Sequence, residues 1–208
     1  MLDNLKKYNI LLASKSPRRR ELLQQLRIPF HIITIGGIDE SYPATVPPLE
    51  VAQYISNKKA DVYQQRIIDD EMIITADTLV ICDDEIMGKP KDADEAVEML
   101  RKLSGKWHKV ATGVAITTKD RRTSFTTVSE VKFAPLDDAE IRYYVDNYAP
   151  FDKAGAYGIQ ERGALLVSGI QGDYFNVMGL PVFRLGRMLA QFGVNLLGSA
   201  EPQGADKA

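Results

Sequence analysis

Cysteine is almost missing from this chain: Cys82 is the only one in 208 residues. An internal disulfide is therefore excluded, and the composition suits a reducing compartment or is neutral to it. Charge of one sign is also in short supply. Against 26 basic residues stand 28 acidic ones, a net of −2, so no overall field exists to hold polyanionic DNA or RNA. Nucleic acid is not expected as a partner, and any affinity for phosphate must come from local clusters. Long apolar runs are absent as well. No stretch approaches a membrane span, and Ile10 to Ala13 is too short for the core of a signal peptide. A cytoplasmic protein without a membrane partner is the expectation.

What is present is ordinary for a soluble globular protein: 45% hydrophobic and 26% charged residues, with length for one domain or two lobes sharing a sheet. Strand and helix signals alternate, with no internal repeat, which predicts an α/β fold with a mixed sheet flanked by helices. A short apolar strand, Tyr8 to Ala13, runs into SKSPRRRELLQQL, where Ser16 reads as an N-cap and Pro17 as the first helical residue. FHIITI (Phe30 to Ile35) reads as a β-run, and a loop rich in Gly and Pro follows to Pro48. A helix from near Leu49 should carry Val51, Ile55 and Val62 on one face. MIITADTLVICDD reads as a buried strand turning at Asp83-Asp84. Asp92 with Glu95 three residues on has the pattern of a capping box. WHKVATGVAITT and TSFTTVSEVKFA should pair as a hairpin across Lys119 to Arg122. A capped helix (Asp137 to Asn147), the glycine-rich DKAGAYGIQ, a strand around Ala164 to Ile170 and a helix from Pro181 to Phe192 complete the expected domain, residues 1–195. Residues 196–208 read as a disordered polar tail.

Functional sites tend to show where a sequence breaks its own folding rules, and three places do so. Arg18, Arg19 and Arg20 fill the first turn of a helix, where acids are preferred, each unfavourable by ~0.3–1 kcal/mol if unpaired. A bound anion reverses that sign, because helix N–H groups and guanidinium forks then act on the same oxygens; a solvated basic patch is the plainer alternative. Asp77 lies within the apolar run Met72–Ile81. An ionised carboxylate buried there without a partner costs several kcal/mol, so it should be paired, hydrogen-bonded or coordinated to a metal. A turn at Asp77-Thr78 is the alternative, against which the run resumes with Leu79-Val80-Ile81. Lys59 interrupts the apolar stripe of Ala52, Ile55 and Val62, although its stem could equally snorkel along the core edge, and Lys58 lies almost as close to that face. Glu40 in a glycine-flanked loop, Lys89 before a capped helix, and Gly155 and Gly158 are milder candidates. His108 has no Cys or His partner at metal-ligand spacing and reads as a packed or surface histidine.

Taken in order, ASKSPRRRELL, the Glu of GGIDE, the Lys-Ala of NKKA, ADTLV, GKPKD, SGKWHKVATGV, DKAGAYGIQ and GDYFNVMGLP resemble the Maf family of nucleotide pyrophosphatases, from about Leu12 to Pro181. One such motif is weak; eight collinear ones are specific. The resemblance implies an elongated, two-lobed Maf/ITPase-like architecture with a central cleft, a homodimer, and a requirement for Mg or Mn. It implies cleavage between the α and β phosphates, with Asp77 as the carboxylate that accepts a proton from water. Glu40, Lys59 and Lys89 match the other polar positions of the cleft, Asp77 and Glu40 being the metal ligands it suggests. Ser14, Arg18, Arg19, Thr78 and Gln160 fall at substrate-binding positions, with Arg18, Thr78 and Gln160 associated with substrate choice. DKAGAYGIQ is similar to the branch acting on dTTP and UTP. Lys15 departs from the small or neutral residue often found there and adds positive charge to the loop. The rival readings are a pyrophosphatase for modified nucleotides and a non-catalytic nucleotide-binding regulator of septum formation.

Overall fold

The computed structural model describes residues 7–197; the GSAEPQGADKA part of the expected tail lies outside the described residues. One seven-stranded sheet organises the chain. Its strands are β1 (Asn9–Leu12), β2 (His31–Ile32), β3 (Glu71–Cys82), β4 (Glu85–Met87), β5 (Trp107–Thr117), β6 (Arg122–Phe133) and β7 (Val167–Gln171). The helices are α1 (Pro17–Gln25), α2 (Pro48–Gln64), α3 (Ala93–Leu103), α4 (Asp138–Tyr148), α5 (Tyr174–Met178) and α6 (Val182–Ala190). Strand order is β2-β1-β3-β5-β6-β7, parallel among the first three and antiparallel beyond, with β4 also on β3. The sheet is mixed, as the alternation of elements predicts. Among the described residues no helix is long and apolar enough to cross a membrane.

Because side chains alternate across a strand, β3 sorts its residues onto two faces. The odd positions meet α2: Leu79 and Ile81 pack with Val51, Ala52 and Ile55, and Thr75 Oγ1 donates to the Ser56 carbonyl at 2.8 Å. The even positions meet two separate apolar clusters. Met72, Ile74 and Ala76 pack with Leu22 and Leu23 of α1 and Leu185 and Leu189 of α6. Val80 and Cys82 pack with Leu100 and Leu103 of α3 and Ile141 and Val145 of α4. Thr78 falls at the seam between the clusters. Each fully buried Leu or Ile contributes roughly 1.5–3 kcal/mol, so both ends of this face are firmly held, with the polar Thr78 between them and Val167 and Val177 packed against both clusters.

Local signals account for most element ends. Ser16 caps α1 with Pro17 at its first position. Asp137 and Glu140 form a reciprocal capping box on α4. At α3 the Asp92 side chain accepts from the Glu95 N–H, but the Glu95 carboxylate reaches back to the Lys91 N–H, one residue further than expected. Asp83 and Asp84 both take positive φ, the conformation of a two-residue turn matched to strand twist. The FHIITI run departs from expectation, since only His31–Ile32 is strand. Beyond it Ile33, Ile35 and Ile38 pack against a cluster holding Tyr63, and the Ile35 N–H donates to the Tyr63 hydroxyl at 2.8 Å instead of to a neighbouring strand. Residues 161–166 form a 3-10 turn, so the expected strand from Ala164 begins at Val167.

Gly113 pairs with Asp77 in the β3–β5 register, under α2. A Cβ there would lie 2.2 Å from the Gln53 nitrogen and 2.3 Å from the Ala52 carbonyl carbon. The helix backbone therefore rests on the sheet at the level of Asp77. Gly113→Ala should lift α2 and cost about 3 kcal/mol or more, read as a lower urea midpoint; an unchanged midpoint would show that α2 adjusts freely. A second prediction concerns His108, whose ring is buried with Nε2 2.8 Å from the Tyr157 hydroxyl. Burial lowers its pKa from 6.5 to about 4. Between those values the unfolded chain binds more protons than the fold. Stability from this group is thus complete above about pH 6.5 and falls away towards pH 4, by up to about 3 kcal/mol. His108→Gln should flatten that slope in urea titrations, and equal slopes would assign the acid sensitivity to other groups.

Candidate active site

The cleft begins as a gap in strand pairing. β5 occupies one edge of β3 from Ile73 to Ile81. On the other edge β1 pairs only as far as Ile74, and β4 takes up pairing only at Val80. Between them Thr75 to Leu79 have no strand neighbour on that side. Buried backbone polar groups need partners, and here one carbonyl is met by loop backbone and the next by a side chain. The Ala13 N–H donates to the Ile74 carbonyl at 2.9 Å, and Arg19 Nη1 donates to the next carbonyl on that edge, Ala76, at 2.9 Å.

Arg19 does more than this one bond. Its Nε donates to the Gly179 carbonyl at 2.8 Å, Nη1 also to Ser14 Oγ at 3.3 Å, and Nη2 to Thr78 Oγ1 at 2.9 Å. Four of the five guanidinium N–H groups are thus directed at the protein. Burial, the largest influence, lowers its pKa, while the negative charge of Asp77 acts the other way. Arg19 lines the cleft and, by these contacts, also holds its walls together. Ser14 accepts from both Arg19 and the Ser16 N–H, the latter at 3.2 Å, so it shapes the loop before α1.

Asp77 projects from the α2 face at the same gap, 14% exposed. Its Oδ1 lies 2.8 Å from Lys59 Nζ, and the same ammonium lies 3.0 Å from Glu40 Oε1. The strand is continuous through Asp77-Thr78, which removes the turn reading. The two adjacent lysines have separate tasks. Lys59 joins the two carboxylates, whereas Lys58 Nζ binds Asp39 Oδ2 and the Ser41 carbonyl, both at 2.8 Å. Lys58 thereby pins the loop on either side of Glu40.

These groups open into a cavity of about 400 Å³. Its wall carries six cationic side chains (Lys15, Arg18, Arg19, Lys59, Lys89 and Lys153) against three carboxylates (Glu40, Asp77 and Asp152). A chain of net charge −2 thus gathers an excess of three positive charges in one place. Arg18 reaches across to Asp152 at 3.5 Å, and Lys89 is exposed at the rim. Of the residues singled out from sequence, Ser14, Arg18, Arg19, Glu40, Lys59, Asp77, Thr78, Lys89 and Gly158 all lie on the wall, whereas Gln160, Arg20, Lys58, Gly155 and His108 do not. Ile159, next to Gln160, turns into the α1/α6 cluster, and Gln160 stands half-buried at the N-terminal end of the 3-10 turn. Lys153, Asp152 and Tyr157 are wall residues that the sequence reading did not single out, although all three belong to DKAGAYGIQ.

The donors of the cleft suit a divalent cation only in part. Among the described residues no group of three or more His, Cys, Asp or Glu side chains converges to hold a metal, so an all-protein cage does not fit. Asp77 and Glu40, gathered on one ammonium, do fit a Mg-type ion that takes one or two carboxylates and draws its other oxygens from water and a phosphate-bearing ligand.

Sheet, gap and charge define an α/β protein with a cationic, carboxylate-bearing cleft for a small polyanion. The family described as Maf-like protein matches residues 9–192, and the chain belongs to the Maf family. It is 55% identical over 186 residues to a Phocaeicola vulgatus protein named dTTP/UTP pyrophosphatase, covering 89% of this chain and 96% of that one. A Parabacteroides distasonis protein of the same name is 52% identical, covering 92% and 100%. One from Acetivibrio thermocellus, also so named, is 48% identical, covering 90% and 97%.

Replacing Arg19 by Lys exchanges a planar fork for a point donor. Arg19→Lys should lower stability by roughly 2–3 kcal/mol, since several buried acceptors lose their bonds together. Chemical denaturation measures this, and a wild-type midpoint would show that the fork does not hold the gap.

Proposed function

We propose that this protein hydrolyses dTTP and UTP to the nucleoside monophosphate and pyrophosphate, with Mg or Mn that Asp77 and Glu40 would help to hold. The observation that carries the reading is Asp77 itself, a carboxylate placed at an unpaired strand edge inside a cavity with an excess of positive charge. The names of the relatives direct the choice of substrate. A homodimer, on the strength of the family resemblance, and a cytoplasmic location, which the single cysteine suits, complete the reading.

A nucleoside triphosphate repels an incoming hydroxide, so its charge must be offset where the attack occurs. At ~4 Å and an effective dielectric constant of about 20, each cationic contact is on the order of 4 kcal/mol before desolvation. Arg18, Lys89 and Lys153 are placed on the wall to make such contacts. Lys59 orients the Asp77 carboxylate, which takes a proton from the attacking water. The bond from water oxygen to the α-phosphorus forms, the bond from that phosphorus to the α–β bridging oxygen breaks, and pyrophosphate leaves with the bridging oxygen and its electron pair. The bound cation supplies further positive charge to the phosphate oxygens.

Product analysis with UTP and dTTP in the presence of Mg tests this directly. Monophosphate with pyrophosphate is the expected outcome, and Asp77→Asn should lower turnover by at least about 100-fold in a protein with an unchanged melting temperature. Diphosphate with orthophosphate would place cleavage elsewhere. Binding without turnover in both Mg and Mn would favour a regulator, and much faster release from modified nucleotides a housecleaning role.

A further inference from the structure

Behind Thr78 runs a chain of polar groups that the proposed chemistry does not use. Thr78 Oγ1 lies 3.0 Å from Thr112 Oγ1, a contact in which either oxygen has the geometry to donate. The next link decides the direction. Thr112 Oγ1 lies 3.0 Å from the backbone carbonyl oxygen of Asn176, and a carbonyl only accepts. The one proton of Thr112 is committed there, so Thr112 must receive the proton of Thr78. On its other side Thr78 accepts from Arg19 Nη2 at 2.9 Å.

Both ends of this relay are locked. Arg19 is a permanent donor. Thr112 and Asn176 are fully buried, and the Asn176 side-chain amide is tied to the Val110 carbonyl at 2.9 Å and to Ser129 Oγ at 3.0 Å. Solvent therefore offers Thr112 no other proton acceptor, and the order Arg19 to Thr78 to Thr112 to the Asn176 carbonyl is the arrangement that gives each hydroxyl proton an acceptor. Thr78 lies on the cleft wall with its proton already spent inward.

We propose that Thr112 is a specificity-determining positioning residue: by taking the only proton of Thr78 it makes that hydroxyl an acceptor towards the cleft, selecting a base that presents an imide N–H. Uracil and thymine present such a donor at ring nitrogen N3, where cytosine presents a lone pair. The inference rests on the dTTP/UTP reading and extends it, by assigning discrimination against cytosine to a buried residue that touches no substrate. A donor facing a donor gains nothing, whereas an acceptor facing a lone pair leaves two buried acceptors unpaired.

The test is the ratio of kcat/KM for UTP to that for CTP, measured on one preparation each of wild type, Thr112→Val and Thr112→Ser. Thr112→Val removes the acceptor at nearly constant volume and frees the Thr78 proton to reach cytosine N3. The UTP:CTP ratio should fall about tenfold, the scale of one hydrogen bond, while Thr112→Ser keeps the relay and the wild-type ratio. Partial misfolding lowers both rates together and does not move the ratio. Thr112→Ala reads the same quantity if the valine variant does not fold. An unchanged ratio in Thr112→Val or Thr112→Ala beside a uracil-selective wild type overturns the inference and leaves the pyrophosphatase reading standing. A wild type that releases pyrophosphate equally from UTP and CTP also overturns it. A wild type that releases none from any of these nucleotides overturns both.

Discussion

The gap on one edge of β3 is the constraint on which the site depends. β1 and β4 share that edge and leave the residues between Ile74 and Val80 without a strand partner. An open edge inside a protein is costly unless its polar groups are met. Arg19 meets one of them, the Ala76 carbonyl, from the neighbouring helix, and in doing so ties the loop at Ser14, the strand at Ala76 and Thr78, and the end of α5 at Gly179 into one frame. The same gap exposes two successive side chains to one cavity although they point to opposite faces of the sheet. Asp77 comes from the α2 face and Thr78 from the seam between the two apolar clusters.

Charge follows from that geometry. α2 can lie close enough for Lys59 to reach Asp77 because Gly113 has no side chain beneath it. Once there, Lys59 draws in Glu40 from a loop that Lys58 holds in place. Acid and base are thereby grouped without a preformed metal cage, and the remaining cations line the rest of the wall. A site of this kind is electrostatically incomplete without a polyanion: the wall carries more positive than negative side chains, and a ligand rich in phosphate oxygens restores the balance.

Much of this was legible residue by residue. Asp77 stood out because a carboxylate in an apolar strand requires a partner, and Lys59 because a lysine broke a helical stripe. The helix caps at Ser16, Asp92 and Asp137 follow from short-range hydrogen bonding that needs no tertiary knowledge. Where the reading fell short, a long-range contact competed with a local rule. Arg19 reads as a neighbour of Arg18 in one basic turn, and only the fold shows its fork bonded to atoms as far away as Gly179. Gln160 shares a motif with wall residues, and only the fold shows that Ile159 beside it lines the cavity while Gln160 does not. FHIITI has strand composition throughout, and Tyr63 takes the Ile35 N–H that a strand would have paired. The five-residue helix Tyr174–Met178 is too short to show a period at all.

By itself the amino-acid order determined the alternation of elements, their caps, the family resemblance and the identity of the carboxylate and lysine at the cleft, because each depends on residue type and near-neighbour spacing. The tertiary structure alone decided which arginine braces the cavity it lines, how one ammonium joins two carboxylates from separate segments, and which way the hydroxyl protons behind Thr78 point. Those outcomes depend on donors and acceptors brought together from Arg19, Thr78, Thr112 and Asn176. Their mutual satisfaction is a property of the packed whole that no local window of the chain contains.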